Sequence, residues 1–421
     1  MAQGTAARQA AFRILRGVRA GQPFNVAQLA AVTGLSDSDR RLAHEIAAGV
    51  LRGRTELDRR LRPLVSRDWD STESDLKDLL RIGTYQLTQL NRVPAYAAVQ
   101  ATVEVAKEVK GPRGAGLINA VLRRVSQDRS ESPQPGQVWD AKGLAAEYSH
   151  PTWLVERWTR QFGLERTRAL LEHNNRRPGL VIQPVGWSLE RLRNQLRAEG
   201  VSFAAAPGGA GLTVERSRVE RLPGYAAGGF IVQDAAQALL LEYAKIPEDA
   251  LVWDACAAPG GKTAVLSRGR RVVASELKRD RMVRLRETLA RTAPGVSVFV
   301  ADARYPPLAP MTVDVAVIDA PCSATGTIGR HPDGRWRITE RSIAGMAARQ
   351  VALLDGAWTT VRPGGLIVYL TCSLEPEEDG EQVDLFLERH RSFERDRDDL
   401  LLFPPDTGTD GGFGACMRRV R

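Results

Sequence analysis

Cysteine is scarce in this sequence, and its spacing excludes several kinds of site. The four cysteines, Cys256, Cys322, Cys372 and Cys416, include no Cys-x-x-Cys pair and show no disulfide-like density. This pattern argues against a zinc site and fits a reducing compartment, so we expect no metal. Two of the four are nevertheless unusual, because Cys322 and Cys372 each follow directly on an apolar strand pattern.

Long hydrophobic runs are also missing. No run of about 18 uncharged apolar residues occurs, and the opening MAQGTAARQAAFRILRG lacks the apolar core of a signal peptide. We therefore expect a soluble, cytoplasmic protein without a membrane partner. Hydrophobic residues still make up 43% of the 421, which is enough for the packed cores of two or three domains.

Positive charge is concentrated in the first third of the chain. Residues 1–127 hold 20 Lys and Arg against 12 Asp and Glu, a net charge of +8, whereas residues 128–421 hold 39 against 38. A polyanionic partner would explain this excess, because each phosphate neutralised by Lys or Arg releases counterions. Arginine that only solvates helical faces is the alternative, and charge alone does not separate the two.

The same portion has an apolar period of three to four residues, which predicts helices. Asp37 and Thr72 are the predicted N-caps. The predicted helical segments are AARQAAFRILRGV, DSDRRLAHEIAAGVLRGRTELDRRL, ESDLKDLLRIGTYQLTQL, AYAAVQATVEVAKEV and AGLINAVLRRV. The polar, proline-containing SQDRSESPQPGQVWD follows and is predicted to be a linker. We expect an all-α bundle that ends near residue 130.

From Leu251 the pattern changes to apolar strands that alternate with helices. The predicted strands are LVWDAC, RVVASEL, VSVFVADA, VDVAVIDAP and LIVYLTCS. Nearly continuous apolar strands separated by helices predict an α/β fold with a parallel sheet covered on both faces. Ligands of such sheets bind beyond the carboxyl ends of the strands. Acids and cysteines concentrate at those ends, which favours a binding crevice: Asp254, Cys256, Glu276, Asp302, Asp319, Cys322 and Cys372.

The segment DACAAPGGKT follows the first of these strands. Gly260 and Gly261 would let the backbone approach a ligand, and the following helix would offer free N–H groups. A P-loop would need glycine where Cys256 stands, so an NTPase is disfavoured. Glu276, about 20 residues on, suits a ribose diol, and Asp302 suits an adenine amino group. S-adenosylmethionine meets all three requirements, although a dinucleotide stays possible on this reasoning.

Three motifs in this order carry a family resemblance: DACAAPGGKT, DAPCSATGTIGRHPD and YLTCSLEPEED. They closely resemble the RNA cytosine-C5 methyltransferases, as do GGFIVQDAAQ and the closing GTDGGFGACMRR. The helical front end resembles the NusB-like RNA-binding domain through PAYAAVQATVEVAK and LINAVLRRV. The whole chain is thus similar to the bacterial 16S rRNA methyltransferases of the RsmB/Sun/Fmu family. One departure is Glu276, where the family usually has Asp, but a carboxylate for the ribose remains.

The resemblance implies a three-part chain. Residues 1–130 would be a NusB-like helical RNA-binding domain, 131–225 a linker with a small RNA-binding subdomain, and 226–421 a Rossmann-like class I methyltransferase domain. The substrate would be 16S rRNA, with no protein partner implied, and we expect a monomer. The implied cofactor site for S-adenosylmethionine comprises Cys256, Ala257, Ala258, Pro259, Gly260, Gly261, Lys262, Glu276, Asp302 and Asp319.

The implied chemistry assigns a role to each strand-end cysteine. A thiolate must add to carbon 6 of cytosine before carbon 5 can accept a methyl group. Spacing cannot rank Cys322 against Cys372, but the RNA family uses the cysteine of its Thr-Cys motif, which is Cys372 here. Cys322 would then assist breakdown of the covalent intermediate, and Asp319 would contact the N3 edge of the base.

Two other functions would account for part of this sequence. A non-catalytic RNA-binding protein would need neither the glycine turn nor the two strand-end cysteines. A tRNA-directed enzyme with the same catalytic half is the closer competitor, and the NusB-like front end favours rRNA over it.

Overall fold

The computed structural model describes residues 4–65, 68–127, 140–215 and 218–421. They form two compact units, Met1–Arg176 with Arg330–Arg337 and Arg177–Gly329 with Ile338–Arg421. The predicted boundary near residue 130 and most of the predicted linker fall within 128–139, outside the described residues. Among the helices of the described ranges, none combines the length and apolar character that crossing a bilayer requires.

Helices and strands of the described residues are numbered separately in chain order. The helices are α1 (Thr5–Arg19), α2 (Phe24–Ala31), α3 (Asp37–Arg52), α4 (Arg54–Leu61), α5 (Ser74–Gln89), α6 (Ala95–Gln127), α7 (Ala141–Glu147), α8 (Thr152–Phe162), α9 (Leu164–Asn175), α10 (Leu189–Ala198), α11 (Ala235–Ala244), α12 (Gly261–Leu266), α13 (Arg279–Thr292), α14 (Gly334–Arg337), α15 (Glu340–Ala357), α16 (Gly380–Arg389) and α17 (Pro404–Thr407). The strands are β1 (Leu180–Pro184), β2 (Phe203–Ala205), β3 (Leu212–Val214), β4 (Phe230–Val232), β5 (Leu251–Asp254), β6 (Arg271–Glu276), β7 (Ser297–Val300), β8 (Val313–Asp319), β9 (Val361–Thr371), β10 (Phe393–Arg395), β11 (Leu400–Leu402) and β12 (Gly412–Arg419).

The first unit is helical, as the apolar period predicts. Its core is built from the buried faces of α1, α3, α5 and α6. Within α6 the backbone of Gly111 is not helical, with φ 70° and ψ −171°, and Pro112 follows. This break separates the two segments that the sequence predicts as different helices, because φ in this region favours glycine and proline cannot continue the preceding helix.

Both predicted N-caps are displaced. Ser36, rather than Asp37, caps α3, and its hydroxyl accepts a hydrogen bond from the backbone N–H of Asp39. Glu73 precedes α5 in place of Thr72. Serine and aspartate are both good caps, so their succession at 36–37 leaves the pattern ambiguous by one residue.

A segment distant in sequence completes the first unit. Arg335 is fully buried, and its guanidinium donates to the carbonyl oxygens of Asn174, at 3.0 Å, and of Ser149, at 3.3 Å. The indole N–H of Trp336 donates to the carbonyl oxygen of Leu51 at 2.7 Å. Leu51 and Asn174 lie in the last turns of α3 and α9, so this segment supplies donors that the helix ends themselves lack.

The second unit contains two sheets. The smaller is antiparallel, has the order β2-β3-β1-β4, and packs its apolar side against Leu192 and Leu196 of α10. The larger has the order β10-β12-β9-β8-β5-β6-β7, with β11 paired to β12. All five predicted strands are present as β5 to β9, and they pair in parallel as expected. The parallel prediction does not extend to the edge, where β12 runs antiparallel to β9, β10 and β11.

Helices cover both faces of the larger sheet, as predicted. Side chains alternate along β8, so that Ala316 and Ile318 pack with α15 and α16 while Val315 and Val317 pack with α11. A strand that is buried on both faces has a nearly continuous apolar sequence, which explains the residues VAVI at the centre of β8. This sheet fixes the positions of the strand ends that carry the acids and cysteines.

Candidate active site

The chemistry-bearing side chains follow the carboxyl ends of the parallel strands. From β5 the chain continues to β6 and β7 on one side and then returns to β8 and β9 on the other. Such a reversal of strand order leaves a crevice beside the central strand, where α/β proteins bind ligands. The residues after β5, β6 and β7 therefore lie on one side of the crevice, and those after β8 and β9 lie on the other.

The glycine turn after β5 is tightly packed. Gly260 has φ 105°, and a Cβ at this position would lie 3.0 Å from Leu285 of α13. Glycine is thus required both by conformation and by close packing. At the end of β5, Asp254 is fully buried and accepts a hydrogen bond from the Thr263 hydroxyl at 2.7 Å. Burial raises the pKa of Asp254 to about 7. Asp254 thus holds the turn against α12, as its position in the sequence suggests.

Lys262 links the glycine turn to the other side of the crevice. Its Nζ donates to Asp319 Oδ2 at 2.7 Å and to the side-chain oxygen of Gln237 in α11. Only 8% of the lysine side chain is exposed, compared with 34% of the Asp319 side chain. The buried ammonium is therefore paired, and Asp319 keeps a face towards the crevice. Gln237 could not have been identified from spacing, since its segment GGFIVQDAAQ indicates only a strand and a helix.

Glu276 and Asp302 occupy the predicted strand ends but differ in their surroundings. Glu276 is buried, Oε1 accepts from the backbone N–H of Lys278, and Oε2 accepts no hydrogen bond within the described residues. Arg281 lies 3.5 Å from Oε2 without hydrogen-bond geometry, so this buried oxygen can still accept a hydrogen bond from a ribose diol. Asp302 instead forms an ion pair with Arg304 at 2.6 Å, which lowers its pKa. No pattern in the sequence indicates that Arg304 pairs with this carboxylate.

The turn and Glu276 together fit an adenosine cofactor with a carboxylate. The turn presents backbone close to the crevice, and at the neighbouring strand end Glu276 offers a carboxylate oxygen that accepts no hydrogen bond within the described residues. Within this segment Cys256 is half-buried, and burial raises the pKa of its thiol, which therefore stays protonated. Cys416, on β12, is fully buried in the apolar core, as expected.

The two strand-end cysteines meet on the other side of the crevice. Their sulfur atoms lie 3.3 Å apart, and both residues are half-buried. The contact follows from the pairing of β8 with β9, which places Asp319 opposite Leu370. The thiol contact with Cys372, together with burial, raises the pKa of Cys322 well above its ordinary value. The protonated form of Cys322 is therefore favoured.

A buried carboxylate that the sequence did not indicate supports both cysteine loops. Glu378 is fully buried and accepts hydrogen bonds from Ser323, next to Cys322, and from Ser373, next to Cys372. It lies in the acidic run EPEED, whose composition is typical of an exposed segment. Only the position of Glu378 in the sequence, directly after the second cysteine motif, indicates that it lies near the site.

Three family models match this chain. The model described as 16S rRNA methyltransferase RsmB/F matches residues 241–406, which include the glycine turn and both cysteines. The NusB family model matches residues 5–127, and an RsmF/B-like, ferredoxin-like domain model matches residues 150–219.

Relatives with curated descriptions extend over most of the chain. The ribosomal RNA small subunit methyltransferase B of Vibrio cholerae is 36% identical over 389 residues, covering 90% of this chain and 88% of the relative. The protein of the same description from Erwinia tasmaniensis is 33% identical and covers 97% of each chain. This chain belongs to the 16S rRNA methyltransferase RsmB/F family. It is therefore an S-adenosylmethionine-dependent rRNA methyltransferase.

The fold of this family member also agrees with solved structures. The crystal structure of PH0851 has a TM-score of 0.82 with 22% identity and covers 100% of this chain and 99% of that one. The structure of NSun6 from Pyrococcus horikoshii with SFG has a TM-score of 0.54 and covers 63% of this chain and 97% of that one. The helical front end and the Rossmann-like methyltransferase sheet expected from the sequence are thus both confirmed.

Proposed function

We propose that this enzyme methylates carbon 5 of a cytosine in 16S rRNA through a covalent bond between Cys372 and carbon 6 of the base. The observation that carries the proposal is the contact of the two cysteine sulfurs, 3.3 Å apart, at the end of the strand pair that also bears Asp319. A thiolate nucleophile, a second thiol and a carboxylate are the groups that this chemistry needs.

Cytosine must be activated because its carbon 5 is a weak nucleophile. Cys372 Sγ bonds to carbon 6, N3 gains a proton or hydrogen bond, and electron density moves to carbon 5. S-adenosylmethionine, when bound by the turn and by Glu276, supplies the methyl group that carbon 5 takes. The carbon 5 proton then passes to water, the electrons of its bond re-form the double bond between carbons 5 and 6, and the sulfur–carbon bond breaks to release 5-methylcytosine and the Cys372 thiolate.

Asp319 is suited to the N3 edge of the base. Lys262 holds one carboxylate oxygen, and the partly exposed group can reach N3 and the exocyclic amine of a cytosine. The exocyclic amine of cytosine would donate to this carboxylate, and N3 would do so once it carries a proton in the adduct, whereas uracil has a carbonyl oxygen in place of the amine, which the carboxylate would repel. The base must leave any stack to enter the crevice, which favours a loop or an opened helix as the substrate.

The environment of the cysteines supports Cys372 as the nucleophile. Because its pKa is raised well above the ordinary range, Cys322 keeps its proton. A thiol donor 3.3 Å from Cys372 would stabilise the Cys372 thiolate, since hydrogen bonds to a charged acceptor are the stronger kind. This assignment agrees with the Thr-Cys motif of the RNA family. Cys322 would act later, in breakdown of the adduct.

The substrate can be tested directly. Bisulfite sequencing of rRNA and tRNA, from cells with and without the gene, should show one protected cytosine in 16S rRNA that loses protection when the gene is absent. Loss of protection in a tRNA instead would replace the proposed substrate and leave the chemistry intact. We expect the enzyme to act as a monomer in the cytoplasm, with no protein partner.

A further inference from the structure

One carboxylate joins the loops that carry the two cysteines. Glu378 Oε1 accepts the backbone N–H of Ser323 at 2.8 Å, and Oε2 accepts the hydroxyls of both Ser323 and Ser373, the latter at 2.6 Å. Gln350 Nε2 lies 3.4 Å from Oε1 and also donates to the carbonyl oxygen of Pro321 at 3.0 Å. Donors from residues 323, 350 and 373 thus converge on a single side chain.

The geometry of these bonds concerns the sulfur atoms directly. Ser323 follows Cys322, and Ser373 follows Cys372, so a fixed position for both serines fixes the backbone on the carboxyl side of both cysteines. Glu378 itself is fixed in turn, because its backbone carbonyl accepts from the buried Tyr369 hydroxyl at 2.6 Å. The bridge is therefore anchored to β9, the strand that ends at Thr371.

The loop that Glu378 holds is strained. Ala324 has φ 60° and ψ 33°, the left-handed region that residues with a Cβ avoid. This conformation is unfavourable for such residues, and it persists only where neighbouring interactions enforce it. Ser323 on one side is held by Glu378, and Thr325 on the other accepts from the backbone N–H of Leu374 at 2.9 Å. Without these bonds the loop would relax and carry Cys322 with it.

Charge makes the bridge specific to a carboxylate. An ionised carboxyl only accepts hydrogen bonds, and every group facing Glu378 in these contacts is a donor. Burial raises the pKa of Glu378, while the Ser323 and Ser373 hydrogen bonds oppose that rise. A glutamine of the same shape would carry no charge, so it would replace the charge-assisted bonds of both loops by weaker neutral ones and would require both serine hydroxyls to reverse their roles.

We propose that Glu378 is a positioning residue for methyl transfer, holding the sulfur atoms of Cys322 and Cys372 at contact distance. The proposal rests on the covalent mechanism described above and assigns that mechanism a support outside the reacting groups. Glu378 acts through its two serines, and its carboxylate oxygens are occupied by their hydrogen bonds.

Glu378→Gln in the full chain tests this role. Since a misplacement of about 1 Å can cost a factor on the order of 100, we expect kcat to fall roughly 10- to 100-fold, while KM for rRNA and the Kd for S-adenosylmethionine stay unchanged. The matched control is Glu381→Gln, an exposed glutamate one turn further on in α16, which should leave all three constants as in the wild type. Ser373→Ala removes only one of the hydrogen bonds that Glu378 accepts and should give a smaller loss of kcat.

A second measurement reports on sulfur contact rather than on activity. Diamide oxidises two adjacent thiols to a disulfide, taking their two protons and two electrons to become the hydrazine. The Cys322–Cys372 disulfide, quantified by mass spectrometry, should form several-fold more slowly in Glu378→Gln than in the wild type and in Glu381→Gln. An equal rate of disulfide formation, or a wild-type kcat, would overturn the positioning role.

The two proposals can fail separately. If Cys372→Ala still forms 5-methylcytosine, the covalent mechanism is wrong whatever Glu378 does. If Cys372→Ala is inactive while Glu378→Gln has wild-type kcat, only the positioning role is lost.

Discussion

Lys262 and Asp319 form an ion pair of 2.7 Å between the turn after β5 and the end of β8. The lysine is the buried partner, so the pair fixes the carboxylate at the border between the cofactor side and the cysteine side of the crevice. The two sides are thus held together by a charge pair as well as by the sheet.

The substitution Lys262→Met should remove the ion pair with Asp319 while leaving a side chain of similar size. Loss of a hydrogen bond to a charged group costs about 1–3 kcal/mol, so kcat/KM should fall by a factor on the order of 10 to 100, measured by methyl transfer to rRNA. Lys278→Met, at an exposed lysine just after β6, is the control and should be unaffected. Wild-type kinetics in Lys262→Met would show that Asp319 needs no orienting cation.

Replacement of the two cysteines should have unequal results. Cys372→Ala should abolish methyl transfer and form no adduct, because the nucleophile is absent. Cys322→Ala should transfer methyl once and accumulate a covalent protein–RNA complex, visible on denaturing gels with substrate RNA and S-adenosylmethionine. Cys416→Ala, in the core on β12, should turn over normally. An adduct trapped in Cys372→Ala, with none in Cys322→Ala, would reverse the assignment.

The cofactor side can be tested by titration calorimetry. Glu276→Ala should weaken S-adenosylmethionine binding by about 1–3 kcal/mol, because the ribose would lose a buried acceptor. Asp302→Ala should weaken it less, since that carboxylate is shared with Arg304. Glu287→Ala, exposed on α13, serves as the control. Wild-type affinity in both test variants would place the pocket elsewhere.

The raised pKa of Asp254 predicts how the free energy of unfolding depends on pH. Its pKa rises from 3.8 in the unfolded chain to about 7 in the folded one, so the folded state binds the proton more tightly. Its contribution to stability is full below about pH 4, declines up to about pH 7 and then levels off, a total of roughly 4 kcal/mol. The free energy of unfolding of the wild type, minus that of Asp254→Asn, should therefore decrease between pH 4.5 and about pH 7. A difference that is flat over this range would mean that the Asp254 pKa is ordinary.

The excess charge of the first unit predicts the salt dependence of RNA binding. Arg123 and Arg124 are exposed at the end of α6. If they neutralise phosphates, each alanine substitution should lower the slope of log K against log salt by about 1. Arg391→Ala, exposed in the second unit, should leave the slope unchanged. Equal slopes in all three variants would favour the alternative that these arginines only solvate a helix.

The parallel sheet and the meeting of Cys322 with Cys372 could be predicted because both follow from local pattern. Apolar runs identify β8 and β9, and neighbouring parallel strands bring their carboxyl ends together. In each case the signal lies within a few residues of the feature that it predicts.

Glu378, Arg304 and Arg335 could not be predicted, for a common physical reason. Each is a charged residue in a polar stretch, and its burial or pairing depends on where a distant or neighbouring segment places donors and acceptors. Composition describes both EPEED and GRHPDGRWR as exposed. Within the second stretch, Arg335 instead donates to backbone carbonyls of the first unit.

The hydrogen bonds that Arg335 and Trp336 donate also determine when the first unit can complete its folding during synthesis. Helices α1 to α9 of this unit end at Asn175. The eight-residue segment that donates hydrogen bonds at their carboxyl ends begins only at Arg330. At 5–20 residues per second, the ribosome needs roughly 10–30 s to synthesise the intervening chain. During that time the carbonyl oxygens of Leu51 and Asn174 must accept their hydrogen bonds from water. The first unit to leave the ribosome is therefore completed only after β5 to β8, half of the strands of the larger sheet, have been translated.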